Sequence, residues 1–290
     1  MSISYLFQQV INGLVTGCCY SLMGVGLSLV WGILRMVSLN HGELYMAGAY
    51  FTWLSFVNGL PIIPAAAVGI LTTMVLGFLI EQSMIRPMLN RPNLDNSAFI
   101  LTMAIQTLLQ NVALRVFGEK YQNIPYYDDG IYRFMGVTIS GQRILIVVIT
   151  IIVIIALMLF IRFTRTGRAI SATSQERDAS VLMGVNTQKI FVITYIISGA
   201  LAAVAGIMLA PIYSVNPWMG SAIQTKGLVV CVLAGLGSVE GAIGAGLLSG
   251  LAESLAITFI DSSWKDMISY LLMILILWVK PNGLFGKKGA

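Results

Sequence analysis

The sequence predicts an all-α protein, a polytopic transmembrane helical bundle of about 8–10 spans in a single domain, 1–290. Three observations predict it. The chain is 57% hydrophobic and 10% charged, with a mean hydropathy of +0.86, whereas soluble domains carry roughly 25% charged residues. The shortfall is organised into stretches free of Asp, Glu, Lys and Arg, at 1–34, 44–80, 96–114, 144–161 and 190–225. Such stretches reach the roughly 20 residues that a helix needs to cross about 30 Å of hydrocarbon. Disorder, collagen and nucleic-acid binding are excluded on the same grounds.

In chain order the apolar segments fall at 8–34, 43–58, 62–83, 97–117, 143–162, 189–212, 222–236, 241–260 and 264–280. The first is longer than one straight helix requires, and Gly13, Gly17, Gly24, Gly26 and Gly32 are places for it to break or tilt. The seventh is short, a partial helix of the kind tolerated at membrane depth when enclosed by protein. No Lys or Arg precedes Arg35 and no cleavage site follows a short apolar core, so the first segment reads as a retained span. Cys18, Cys19 and Cys231 have neither a disulfide framework nor metal-ligand spacing and read as small core residues.

Alternate loops give the orientation. Eleven basic residues (Arg35, Arg86, Arg91, Arg162, Arg165, Arg168, Arg177, Lys189, Lys280, Lys287 and Lys288) share the side of the C-terminus, against six on the other. The positive-inside rule then places the C-terminus in the cytoplasm. The external loop 118–142 carries Tyr121, Tyr126, Tyr127 and Tyr132 with Asp128 and Asp129. Two readings are open for it, interfacial tyrosines or a docking surface for an external protein.

The internal segment 163–188 is the more informative. Thr173 three residues before Glu176 has the spacing of a capping box, which predicts a helix over 174–184 with Asp178 in its first turn. Ala179, Leu182 and Met183 fall on one face, Gly184 ends the helix, and Asn186 or Thr187 caps the next span. Its apolar face reads either as lying on the inner leaflet, drawn to anionic lipid by Arg165, Arg168 and Arg177, or as a knob for a groove on a cytoplasmic partner.

Few residues carry chemistry. Glu253 stands inside an apolar helix, where an ionisable group is a functional candidate by default. Lys226 and Arg115 have room to snorkel. His41, between Asn40 and Gly42-Glu43, reads as a satisfied polar turn or as a gating contact; Asn40, His41, Glu43 and Glu253 are the pathway or gate candidates. Gly235, Gly237, Gly241, Gly244, Gly246 and Gly250 predict close helix approach. The chain has no G-x-x-x-x-G-K-[ST] phosphate loop, its one Gly-Lys pair being Gly286-Lys287 near the end. Nothing points to catalysis or to a metal.

With these residues in hand, the chain resembles the H-type permease subunits of ATP-binding-cassette importers for branched-chain amino acids, along nearly its whole length. The matching blocks run in order: Asn12-Gly13-Leu14, Gly17, Tyr20-Ser21-Leu22, Gly26-Leu27, Asn40-His41-Gly42-Glu43 and Gly48-Ala49-Tyr50. Glu81 with Arg86-Pro87 and Thr102 with Leu109-Gln110-Asn111 follow, then Gly167-Arg168-Ala169 and Leu182-Met183-Gly184-Val185-Asn186. Pro217, Gly220, Lys226, Gly235-Leu236-Gly237-Ser238, Gly241-Ala242, Leu247-Leu248, Glu253 and Lys280-Pro281-Asn282-Gly283-Leu284-Phe285-Gly286 complete the match. Ser171, Gly227-Leu228 and Ala234 depart from the family pattern, at a coupling-loop arginine and in the packing of the seventh span.

The resemblance implies the importer-permease fold with a short cytoplasmic coupling helix. It assigns ATPase coupling to Gly167, Arg168, Ala169, Glu176, Arg177, Asp178, Leu182, Met183 and Gly184. It implies a multi-pass protein of the bacterial inner membrane, paired with a homologous second permease. Two ATPases that use ATP and Mg dock beneath, and a periplasmic or lipid-anchored binding protein delivers substrate. This chain then binds no cofactor itself. The expected cargo is leucine, isoleucine and valine; urea, short amides or other amino acids are the alternative, and an ion-coupled carrier or a membrane scaffold are the competing readings of the whole chain.

Overall fold

In hydrocarbon each backbone N–H and C=O needs a partner within the protein, and a helix supplies one from its own segment. The computed structural model describes residues 3–89, 94–134, 137–259 and 264–286. Its helices are α1 (Ile3–Leu34), α2 (His41–Val57), α3 (Ile62–Ile80), α4 (Arg86–Met88), α5 (Leu94–Phe117), α6 (Gly141–Phe163), α7 (Arg165–Gln175), α8 (Arg177–Leu182), α9 (Thr187–Tyr213), α10 (Met219–Ala234), α11 (Val239–Phe259) and α12 (Lys265–Val279). A π-helical turn, Glu81–Ile85, joins α3 to α4 without a break. Each of the nine expected apolar segments is helical. Arg91, Lys287 and Lys288, three of the basic residues counted for orientation, lie outside the described residues.

Among the described residues, six helices are long and apolar enough to cross a membrane: Tyr5–Leu34, Ile62–Met88, Asn96–Phe117, Gly141–Phe163, Thr187–Tyr213 and Val239–Phe259. The other three, α2, α10 and α12, have 17, 16 and 15 residues. At about 1.5 Å per residue they rise only about 22–26 Å, less than the roughly 30 Å of hydrocarbon. For α10 this is the partial helix expected from its length. For α2 the reason lies in the preceding connection, described below.

The first helix is not broken by its glycines. It runs for 32 residues through the middle of the bundle, flanked by α9, α10 and α11. The small residues serve contact instead. A Cβ on Gly250 would collide with the backbone of Gly17, and one on Gly246 would meet the backbone nitrogen of Ser21 at 2.5 Å. Ser21 Oγ bridges the two helices by donating to Ile243 O at 2.9 Å. Gly241 is closed in by Phe285 and by the Ala234 carbonyl, and Gly244 by the Phe285 ring alone. Gly235 and Gly237 have φ of 94° and 86°, a left-handed conformation that glycine adopts at no steric cost, and they turn the chain from α10 into α11.

The ends of the bundle sort as the loop alternation requires. Arg86 Nη2 donates to Gln188 Oε1 at 2.8 Å, tying α4 to the start of α9. Gly32 of α1 sits against Gly237 and Ser174. The segment after α12 folds back, Leu284 N–H donating to Leu233 O (2.8 Å) and Phe285 N–H to Ala234 O (3.1 Å). Residue 86, the 163–188 segment and residues 280–286 therefore gather at one end.

At the opposite end the long loop holds the chain's only described sheet, a hairpin of β1 (Ile131–Phe134) and β2 (Val137–Ser140) that the all-α reading did not contain. Gln122 and Val215 exchange backbone hydrogen bonds of 2.9 and 2.7 Å, and Gln142 donates to Met208 O at 2.8 Å. The loop is thus fastened over α9. Tyr121, Tyr126 and Tyr132 are exposed, while burial raises the Tyr127 phenol above its ordinary range.

Backbone contact leaves no room for a side chain between α1 and α11. Gly250→Val should lower the detergent melting temperature and the membrane yield by an overpacking penalty of about 1–3 kcal/mol, and Gly244→Val, facing only a movable ring, by clearly less. Equal effects would show that the crossing is not the tight point.

Candidate functional site

The connection between α1 and α2 turns back into the bundle. Arg35 ends α1 with a φ of 53°, and residues 36–40 climb along α1 until His41 lies beside Gly26, about 12 Å above the helix end at 1.5 Å per residue. Ser198 Oγ makes a 3.1 Å contact with His41 Nδ1 and donates to Gly26 O at 3.0 Å. Non-helical backbone at this depth has to be satisfied by protein, and side chains supply the partners. Gln224 of α10 accepts from Gly42 N–H (2.6 Å) and donates to Ser38 O (2.9 Å). Asn40 Nδ2 donates to Tyr195 Oη at 2.7 Å, and Ser38 Oγ donates to Asn40 Oδ1 at 2.9 Å.

Asn40, His41 and Glu43 are all buried, placed by this connection and by the backbone approach of Gly42 to Gly220. Two of them keep unused polar atoms: His41 Nε2 and both carboxylate oxygens of Glu43 have no hydrogen-bond partner. Gly220 and Glu43 are close enough that a Cβ on the glycine would stand 3.1 Å from the carboxyl carbon.

Glu253 is 2% exposed and is paired twice. Its Oε1 is 3.0 Å from Lys265 Nζ and its Oε2 3.3 Å from Lys226 Nζ, while Tyr20 Oη donates to Oε2 at 3.1 Å. Lys226 does not snorkel. It is buried, held between Glu253 and Asp266 (2.7 Å), and donates to Ser269 Oγ at 3.2 Å. A buried carboxylate within reach outcompetes an extended side chain aimed at water. One network thus ties α1, α10, α11 and α12. Beside it is a cavity of about 190 Å³ lined by Gln9, Asn12, Arg143, Tyr213, Glu253 and Lys265, among others.

At the other end, the 163–188 segment folds differently from the expected capping box. Thr173 lies inside α7, its hydroxyl donating to Ala169 O at 2.8 Å, and Glu176 is the extended residue between α7 and α8, making no side-chain cap. The cap that starts α7 is Thr164, which accepts from Gly167 N–H at 2.9 Å. Gly167 is required there because a Cβ would meet the Phe160 carbonyl and the Ile161 backbone. Thr164 captures the first turn, so the chain is already helical when it reaches Thr173. The helix over 174–184 is therefore the last of α7 and all of α8.

The face of α8 is open. Leu182 and Met183 are 88% and 85% exposed and Val181 is exposed beside them. Gly184 closes the turn with a φ of 82°, and Asn186 caps α9 by accepting from Lys189 N–H at 3.1 Å. Arg177 lies over the Phe191 ring, 5.0 Å from its centroid, next to Glu81 and Arg86. Arg168, Glu176 and Asp178 are exposed and Ala169 is half-buried. The expected coupling residues thus range from a buried close contact at Gly167 to an exposed tip at Leu182-Met183.

Comparison with known proteins decides the family. The family described as "Branched-chain amino acid transport system / permease component" matches residues 9–277. The chain belongs to this family. It is 32% identical to the high-affinity branched-chain amino acid transport system permease protein LivH of Escherichia coli K12, over 98% of this chain and 96% of that one. It is 34% identical to BraD of Pseudomonas aeruginosa, named in the same words, over 98% and 97%. Among solved structures, PsaBC from Streptococcus pneumoniae in complex with Fab shares the fold with a TM-score of 0.54 at 14% identity, covering 97% of this permease and 94% of that chain.

Sequence reasoning found Glu253 in this permease but not its partners. Lys226 was within reach of the same argument, an ionisable residue at depth; Lys265, Asp266 and Ser269 depend on how α12 is set against α11, which spacing does not encode. The network orders its members by burial. Lys226→Met leaves Glu253 with one cation and should cost up to about 3–5 kcal/mol of stability in detergent unfolding. Asp266→Asn, at a side chain 70% exposed, should cost about 1 kcal/mol or less. The reverse order would remove Lys226 from the centre of the network.

Proposed function

We propose that the chain is the membrane-spanning permease subunit of an ATP-driven importer of leucine, isoleucine and valine in the bacterial inner membrane. It forms the translocation pathway with a homologous second permease. The observation that carries this reading is the full-length relationship to permeases named for branched-chain amino acid transport, in a chain without a phosphate loop. Nucleotide and Mg are then handled by two separate ATPases, and a binding protein outside selects the cargo.

In this reading the end of the bundle holding α7, α8 and residues 280–286 faces the cytoplasm, as the basic-residue count indicates. The exposed Val181, Leu182 and Met183 side chains are the knob for a groove on an ATPase, the helix-in-groove mode. The close contact of Gly167 with α6 and the Arg177–Phe191 contact pass its displacement to α6 and α9. The inner-leaflet alternative fits less well: the tip is three adjacent side chains at the end of a helix of 6 residues, too short for an apolar stripe.

The test is uptake of labelled leucine into vesicles holding the permease with its second permease, ATPases and binding protein. Leu182→Asp with Met183→Asp should leave the permease folded and inserted while ATPase co-purification and uptake both fall at least ten-fold. Uptake that persists without ATP, or a variant that retains ATPases and transport, would overturn the reading; uptake of urea alone would change the cargo and keep the mechanism.

A further inference from the structure

The cavity beside Glu253 has one aliphatic and one cationic side. Val15 of α1, Leu209 and Ile212 of α9 and Ile257 of α11 form the first, and Arg143 of α6 with Lys265 of α12 the second. Its volume is about 190 Å³, and a protein cavity of roughly 150 Å³ holds a benzene, so leucine, isoleucine or valine fits and a whole phospholipid does not. Gly250 closes the inner side, where α1 and α11 touch through their backbones. The space is a pocket rather than a channel.

Its polar wall is rich in donors. Arg143 Nη1 donates to Asn12 Oδ1, and among the described residues the guanidinium has no carboxylate partner. Lys265 pairs with Glu253 at 3.0 Å, which leaves its ammonium with donors to spare, while Glu253 is itself shared with Lys226. An entering carboxylate balances this surplus of positive charge. Gln9, Asn12 and Tyr213 line the same space and supply acceptors for an ammonium. The rim lies under the external hairpin: Thr138 N–H of β2 donates to Gln8 Oε1 at 3.2 Å, and Gln122 pairs with Val215, just beyond Tyr213. Tyr213 is exposed and Lys265 half-buried, so the pocket is open at this end.

We infer that this pocket binds a free amino acid with a short aliphatic side chain. Its carboxylate lies on Arg143 and Lys265, its ammonium on the side-chain oxygens of Gln9 and Asn12, and its side chain against Ile212 and Ile257. Glu253 fixes the Lys265 ammonium at the wall. The inference rests on the import reading above, in which this end of the bundle faces outward, and it names where the subunit receives the cargo that a binding protein releases.

Equilibrium binding of labelled leucine to the assembled permeases and ATPases in nanodiscs, with the binding protein omitted, tests it. Arg143→Gln should weaken leucine binding at least ten-fold and Arg143→Lys clearly less. Ile212→Trp, which fills the aliphatic side, should also weaken it at least ten-fold. All three should keep the elution profile and the ATPase co-purification of the unaltered complex. No leucine binding, or binding unchanged in both Arg143→Gln and Ile212→Trp, would overturn the site. So would a phospholipid retained in native mass spectrometry and lost with Arg143→Gln from a complex that does not bind leucine. Uptake by the unaltered importer checks the import reading separately: leucine bound here while another solute is carried would refute that cargo and leave the site, and leucine carried without binding here would refute the site alone.

Discussion

The architecture depends on α1 and α11 crossing at backbone distance. Without a hydrophobic drive between helices in lipid, association comes from van der Waals contact and interhelical hydrogen bonds, and both need small residues at the crossing. Gly13 and Gly17 of α1 against Gly250 and Ser254 of α11 provide them, with Ser254 Oγ donating to Gln9 O at 2.6 Å. Once α1 is held inside the bundle, its two neighbours α9 and α10 have a common surface, and α2 is set between them through Gly42, Gly48 and Gly206. Polar residues can then sit deep, because protein rather than lipid surrounds them.

That enclosure explains the chemistry of the core. The connection from α1 to α2 places backbone groups inside the bundle, and Gln224 answers two of them, accepting from Gly42 N–H and donating to Ser38 O, while the side chains of Ser38, Asn40 and Tyr195 satisfy one another. Glu253 is tolerated for the same reason, between two lysines and a tyrosine. The coupling end obeys the opposite logic. There Leu182 and Met183 are left uncovered by their own chain, on a segment anchored before it at Gly167 of α7 and after it by the Asn186 cap of α9.

The helices were readable because composition and length dictate them. The nine apolar segments are helical where their hydropathy places them, and Gly184 and Asn186 terminate and restart helices as their residue types require. What was not readable arose from competition between local signals or from three-dimensional neighbours. Thr173 and Glu176 have the spacing of a capping box, yet Thr164 caps first and absorbs Thr173 into its own helix. Lys226 had a plausible escape to the surface until Glu253 and Asp266 are seen beside it. The re-entry of residues 36–40 has no pattern of its own; it follows from Gly26 leaving room for the His41 ring.

The short tail after α12 has a mechanical consequence. Leu284 and Phe285 add two backbone hydrogen bonds to the last turn of α10, and Lys226 joins the same helix to Asp266 at the first turn of α12. Two parallel rods joined at the inner end and at the middle of α10 resist sliding past each other and tilt together as a plate. A displacement at the inner end of α10 is therefore carried to the first turn of α12.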